Sequence, residues 1–383
     1  MTAPKGRTYD CTVRGGGFVA ERSCPQGRST YMADELSLPR LSPFLGRLTV
    51  VRVMSFEHSA RKGCRMKRKI QRWVVTTALS VAASLVVGSV WAAGMPEVTL
   101  PDTAPFPESV AATSDGVLFV SSITDGGVLR IALDGSAPTP FFKPGEHDTR
   151  STFGVLADDK SGTLWVASND ASAIGIKGPS AVEGAWIKAF DLKSGGLKAA
   201  FRLPVESAVA NDFAFGPDGT LYVTNTAGPE IFMLKPGADA LEIFVKDDAL
   251  KGGLDGIALG EDGNLYVNTY VSGELFRIGI AGDVAGKVTK LKTSRPLTHP
   301  DGMKPYKNGF IMVEGKGTLD RVTVSGDEAK IETVKEFAGP TGVVLAGDVI
   351  WVTEGQLGYL SDPDKKGRKP EAFRLRAMSL PKE

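Results

Sequence analysis

From residue 94 onward, short apolar runs alternate with polar breaks in a pattern that repeats along the chain. "ESVAATSDGVLFVSS" begins at Glu108, "FGVLADDKSGTLWVASND" at Phe153, "NDFAFGPDGTLYVTNT" at Asn211, "DGIALGEDGNLYVNTY" at Asp255, "DGMKPYKNGFIMVEG" at Asp301 and "TGVVLAGDVIWVTEG" at Thr341. The starts are 45, 58, 44, 46 and 40 residues apart. Each unit holds an apolar strand, a turn pair (Asp115-Gly116, Ser161-Gly162, Asp218-Gly219, Asp262-Gly263, Asn308-Gly309, Gly347-Asp348) and a second strand rich in Val, Leu, Tyr and Trp. Asp-Gly and Asn-Gly tolerate the positive φ of two-residue hairpin turns, so each unit predicts a hairpin. Further strands follow, among them "GVLRIAL" (127–133), "EIFMLKP" (230–236), "LEIFVK" (241–246), "GELFRIGI" (273–280) and "KIETVKEF" (330–337). No long helical period interrupts them.

Four strands per unit of roughly 40 to 50 residues is the signature of a propeller blade, and six units predict an all-β, six-bladed β-propeller over 94–383. A sandwich is the alternative architecture, but it predicts no such self-similarity. A terminal strand should close the ring, with "PEVTL" (96–100) and "AFRLRAMSL" (372–380) as the candidates. The second unit is longest, and its surplus around "IGIKGPSAVEGAW" (174–186) is expected to project as a loop.

In a propeller the first strand of each blade lines the central channel, so equivalent positions form a ring at one mouth. Here the ring is Glu108, Phe153, Asn211, Asp255, Asp301 and Thr341. Asp and Asn favour turns, which alone would place some of them at strand starts. Glu has little such preference, and three carboxylates converging on one axis repel unless a cation joins them. Oxygen ligands without His or Cys favour calcium, or magnesium or manganese, over zinc.

Charge divides the chain. The formal total is +1, yet residues 1–93 carry +10 and the remainder −9, which argues against nucleic acid as a partner of the long domain and suits a cation. Cys11, Cys24 and Cys64 all precede residue 66, so the domain has no thiolate nucleophile or cysteine-ligated zinc. From Met66, a basic stretch (Lys67, Arg68, Lys69, Arg72), a charge-free run over 74–90 and small residues with Val90 and Ala92 at the minus-three and minus-one positions of a cleavage site read as a signal peptide over 66–93. A single membrane anchor is the alternative, although a span needs about 20 apolar residues. The expectation is export, periplasmic or secreted, with no stable membrane insertion after cleavage. Residues 1–65, with 9 Arg to 2 Lys against 9 to 21 in 94–383, are expected to be a disordered, non-native extension upstream of a start at Met66.

The domain resembles the senescence marker protein/gluconolactonase family, six-bladed propellers that include sugar lactonases and luciferin-regenerating enzyme-like proteins. The resemblance lies in Glu108 of "FPESVAA", Asn211 of "ANDFAFGPDGTLYVTNT" and Asp255 of "LDGIALGEDGNLYVNTY". It implies a divalent metal, calcium or zinc, held by Glu108, Asn211 and Asp255, with Asp255 also the catalytic base or nucleophile. Asp301 is then a further ligand or a second base, and the substrate is a lactone or similar small carbonyl compound. Asp212 stands where the family usually has Gly, Phe153 occupies a ring position often polar in relatives, and the second-blade Arg and Asn that read sugar have only Arg150 and Asn169 nearby.

Loops after the second strands are expected to bring Asn169, Asn225, Asn268, Tyr270, Glu314 and Glu354 around the mouth as a substrate-binding rim, with His299 of "THPDGM" beside them. No Gly-x-Ser-x-Gly elbow or His-Glu-x-x-His helix occurs, and histidine is too sparse to favour a histidine-based lyase. A non-enzymatic binding platform of the NHL type and a strictosidine synthase-like enzyme share this architecture.

Overall fold

The computed structural model describes residues 32–36, 50–54, 97–365 and 367–379. The expectations for 1–65 and 66–93 fall outside these residues except where Met32–Leu36 and Val50–Met54 pair as an antiparallel ribbon. Among the described residues no helix is long and apolar enough to cross a membrane.

Within the unit Val90–Glu383 the chain forms six sheets, each a blade of antiparallel strands, with the short Lys292–Thr293 added in parallel at the edge of blade 5. The first strands, Pro107–Ala112, Ser151–Asp158, Ala210–Phe215, Leu254–Leu259, Pro300–Tyr306 and Pro340–Ala346, contact one another in succession, and the sixth returns to the first. Six such strands in a ring are the six-bladed propeller that the repeats predict. These strands are almost continuously buried because sheets cover both their faces, whereas the outer strand Glu328–Glu336 alternates exposed and buried residues. The core accordingly lies between blades. Phe213 and Phe232 face Ile187 in the gap between blades 2 and 3, and Phe276 and Ile278 face Ile231 and Phe244 between blades 3 and 4.

Both closure candidates take part. Arg374–Ser379 is the third strand of blade 6 and Glu97–Thr99 its fourth, paired antiparallel and braced by Glu97 on Arg374 (2.8 Å) and Arg376 (2.6 Å). An outermost strand borrowed from the far end of the chain closes the ring by joining both ends of the domain in one sheet.

The turns differ in detail from the expected two-residue hairpins. In blades 1, 3 and 4 the Asp-Gly pair sits inside a five-residue loop, where Gly116, Gly219 and Gly263 adopt φ of 89°, 88° and 76° and donate back to Thr113, Gly216 and Gly260. Two-residue loops occur in blades 5 and 6; in blade 5 the loop is Lys307-Asn308, and Gly309 is already in the strand. The surplus of blade 2 forms the loop 170–184, ending one residue before Ala185–Asp191 begins. Arg150 fastens it by donating to the carbonyls of Lys177 (2.8 Å) and Val182 (2.9 Å) and pairing with Asp170 (2.9 Å).

Candidate metal centre and active site

Every first strand carries a one-residue bulge at the same place. Pairing with the second strand slips between Pro107 and Val110, Thr152 and Val155, Ala210 and Phe213, Leu254 and Ile257, Pro300 and Met303, and Pro340 and Gly342. The bulge contains the ring residue of each blade. A bulge bends the strand and re-aims its side chain; here it does so six times around one axis.

Bulges also free backbone groups, and the penultimate residue of the second strand recovers them. Ser121 Oγ accepts from the Ser109 N–H at 3.0 Å, Thr224 Oγ1 from Asp212 at 3.0 Å, and Asn268 Oδ1 from Gly256 at 3.0 Å. Two of these side chains reach onward to the next blade, Thr224 donating to the Asp255 carbonyl (2.7 Å) and Asn268 to the Asp301 carbonyl (2.7 Å). Thr224 thus positions Asp255, and Asn268 positions both acids. Adjacent strands lie so close that a Cβ on Gly256 would stand 2.4 Å from the Asp301 carbonyl oxygen. Glycine at 256 is a requirement of that approach.

Glu108, Asp255 and Asp301 each offer a carboxylate oxygen within 4.8 Å of the others, and the three residues are 4 %, 5 % and 3 % exposed. Glu108 Oε2 and Asp255 Oδ1 are buried with no hydrogen-bond partner. Asn211 completes the group: its Nδ2 donates to Asp255 Oδ2 (3.0 Å) and to Thr226 Oγ1 (2.9 Å), which commits both amide hydrogens and leaves the amide oxygen as a ligand. The Thr226 hydroxyl in turn donates to the Leu254 carbonyl at 2.6 Å, holding the amide in that sense. Three carboxylates and an amide, with two orphaned buried oxygens, fit a hard divalent cation.

The electrostatics agree. Burial, then the Asp255 and Asp212 charges, push the Glu108 carboxyl well above its ordinary value. Burial does the same to Asp301, reinforced by Asp255 and Glu108. Asp255 is pushed up to about 7, chiefly by burial, against the opposing hydrogen bonds from Asp301 and Asn211. The contact between the two aspartates raises Asp301 and lowers Asp255.

The remaining ring positions are structural. Phe153 joins the apolar cluster between blades 2 and 3, and Thr341 donates to the Pro107 carbonyl across the closing seam at 3.2 Å. Below the ring, Asp212 and Lys304 form a buried ion pair, Nζ to Oδ2 2.6 Å, joining blades 3 and 5 past the intervening blade. Sequence reasoning marked Asp212 only as a departure from glycine and passed over Lys304.

The expected rim is largely enclosed. Asn169 exchanges two hydrogen bonds with the Ala210 backbone, locking blade 2 to blade 3. Asn225 accepts from Val209 and Ala227 and donates to Glu230. Glu314 takes the Thr298 N–H and pairs with Arg295, and Glu354 takes Ala338 and Arg376. Asn169, Asn225, Glu314 and Glu354 all end a second strand, and Asn225, Glu314 and Glu354 satisfy the chain leading into their own blade's first strand; a shared repeat position with a shared backbone task was the available signal. Only Tyr270, half-buried, and His299, exposed, remain open at the mouth, stacked with centroids 4.8 Å apart and planes inclined 18°.

No protein-family model and no curated protein matches the chain. Solved structures do match. A luciferin-regenerating enzyme is similar over 75 % of this chain and 96 % of its own, with TM-score 0.55 and 13 % identity. A gluconolactonase from Xanthomonas campestris is similar over 74 % and 89 %, with TM-score 0.54 and 16 % identity. The virginiamycin B lyase of Staphylococcus aureus is similar over 75 % and 99 %, with TM-score 0.51 and 17 % identity. At such identities the likeness establishes the fold: this chain is a six-bladed propeller whose structural neighbours include the gluconolactonase and the luciferin-regenerating enzyme that its sequence motifs resemble.

Proposed function

We propose that the domain is a divalent-metal-dependent hydrolase of the sugar-lactonase type, opening a lactone or related cyclic ester at the channel mouth. The observation that supports it most is the convergence of Glu108, Asp255 and Asp301, with unpartnered oxygens on two of them, beside an amide whose hydrogens are committed elsewhere. Glu108, Asn211 and Asp255 would hold the cation, most readily calcium, with Asp301 within reach of the same group. When bound, the cation supplies Lewis-acid stabilisation of negative charge developing on the carbonyl oxygen.

The chain's own groups divide the proton work. Asp255 is the acceptor for a proton from the attacking water, and its second oxygen is held by the Asn211 amide. Asp301, beside Asp255, relays that proton to the leaving alkoxide as the ring C–O bond breaks. One water is consumed, and the products are the hydroxyl and the carboxylic acid of the opened ring. The 66–93 pattern supports export of the domain to the periplasm or medium as part of the same proposal.

The test is metal analysis of the purified chain followed by a pH-indicator assay against a lactone panel, with Asp255→Ala in parallel. Bound calcium, together with hydrolysis lowered about 10²- to 10⁴-fold by the substitution, is expected for loss of a catalytic base. A protein that binds no divalent cation and opens no lactone is a binding platform instead.

A further inference from the structure

The residue before each first strand shows where glycine was set aside for a side chain. It is left-handed in four blades: Phe106 at φ 51°, Gly253 at 82°, His299 at 54° and Gly339 at 58°. Glycine takes that conformation without steric cost, and larger residues do not. At Phe106 the strain is offset by packing, since its ring lies 5.0 Å from that of Phe373. His299 gains no such burial, being exposed. Its backbone role is one glycine performs elsewhere: the His299 carbonyl accepts from Gly315 at 2.8 Å just as the Gly339 carbonyl accepts from Gln356 at 2.9 Å. What distinguishes His299 is the imidazole laid against Tyr270.

Tyr270 explains why a ring is wanted there. Its own N–H is fixed by the Gly253 carbonyl at 2.7 Å, at the start of the loop after the second strand of blade 4. Burial, then the nearby Asp301 and Asp255 charges, push the phenol above its ordinary value, so the hydroxyl stays protonated. No acceptor among the described residues takes that hydroxyl, and the phenol lies within the field of the acidic ring. A half-buried, permanently protonated donor without a partner is arranged for a ligand oxygen.

We propose that Tyr270 is a substrate-binding hydrogen-bond donor and that His299 is its positioning residue, the stack directing the phenol toward an oxygen of a small cyclic carbonyl compound held over Glu108, Asp255 and Asp301. The ligand class rests on the lactonase reading; the donor and its support rest on the geometry of the mouth.

The experiment compares His299→Gly, His299→Phe and Tyr270→Phe with the parent, all calcium-loaded, in lactone hydrolysis and in calorimetric binding of glucono-δ-lactam, a ring that is not hydrolysed. Loss of one hydrogen bond predicts that His299→Gly and Tyr270→Phe raise KM and the lactam Kd about tenfold, with kcat within about twofold and calcium affinity unchanged. His299→Gly should also melt no lower than the parent, because it relieves the backbone, and His299→Phe should restore binding to within about twofold. Unchanged KM and Kd in His299→Gly, or a phenylalanine variant as impaired as glycine, overturns the proposal while leaving the lactonase reading standing. A parent that binds lactam in a His299-dependent way yet opens no lactone supports the platform and sinks the lactonase. A parent that does neither overturns both.

Discussion

Replacing Lys304 with methionine would isolate what the ion pair beneath the ring contributes. Nζ lies 2.9 Å and 2.6 Å from the two oxygens of Asp212, and the side chains retain 13 % and 5 % of their exposure. Methionine keeps most of the stem's volume and removes the charge, leaving a buried carboxylate whose remaining donor is the Phe213 N–H at 2.8 Å. Breaking a buried pair by removing one partner costs about 3–5 kcal/mol, whereas removing both is often near neutral. The residual solvent contact of Lys304 places the expected loss at the lower end, about 3 kcal/mol, or a fall in Tm of roughly 4–6 °C for a domain of this size. Asp212→Gly combined with Lys304→Met should return to within about 1 kcal/mol of the parent, so a double-mutant cycle would show coupling of at least about 2 kcal/mol. Thermal and urea unfolding of the calcium-saturated protein measure both. Lys304→Met as stable as the parent, or a double variant that loses the sum of the two single losses, would refute the account of a paired, desolvated bridge across the channel.

The acidic ring gives a pH prediction with a definite sign. Asp255 is raised to about 7 mainly by burial, so its stabilising contribution to the metal-free fold is fully present below its unfolded value and is lost as pH rises through about 7. Chelated parent protein should therefore lose Tm relative to Asp255→Asn between pH 5 and pH 8, and saturating calcium should reverse the loss; parallel curves for the two would contradict it. Gly256→Ala sets a Cβ 2.4 Å from the Asp301 carbonyl oxygen and should separate blades 4 and 5 enough to weaken calcium binding at least tenfold by titration. Asn268→Ala removes the acceptor for Gly256 N–H and the donor to the Asp301 carbonyl, and denaturant unfolding should show a cost of about 1–3 kcal/mol. Wild-type stability in that variant would mean the two backbones are held without it.

Legibility in the sequence followed what repeats and what does not. The six hairpins were readable because each buries its apolar strands in the same way, and ring membership of Glu108, Asn211, Asp255 and Asp301 followed from equal offsets. Asn225, Glu314 and Glu354, expected on a substrate rim, lie buried in backbone contacts for the complementary reason. Each is polar and ends a second strand, which looks like a rim from sequence, but a bulged sheet needs polar side chains inside to satisfy the chain turning into the first strand. Asn268 was placed on the same rim and proved to be the support of Asp255 and Asp301. Lys304 was missed because its partner is 92 residues away and two blades over, a relation no local period encodes.

Departures from the repeat therefore carry more chemical information than the repeat itself. The position after the ring residue is Gly154, Gly256, Gly302 and Gly342 in four blades, where neighbouring backbones approach too closely for a Cβ, and is Asp212 in blade 3, the one blade in which this position carries a charge, answered by Lys304. The position before the first strand is glycine in blades 4 and 6 and histidine in blade 5, where an exposed ring is held in a left-handed backbone worth of order 1–3 kcal/mol of strain. Ring positions facing an apolar seam can be Phe153 or Thr341, but the four polar ones meet on the axis. Selection for folding alone would move His299 toward glycine and Glu108 toward something neutral, since each costs stability where it stands. Both costs lie around one mouth, and a ligand binding there offsets them together.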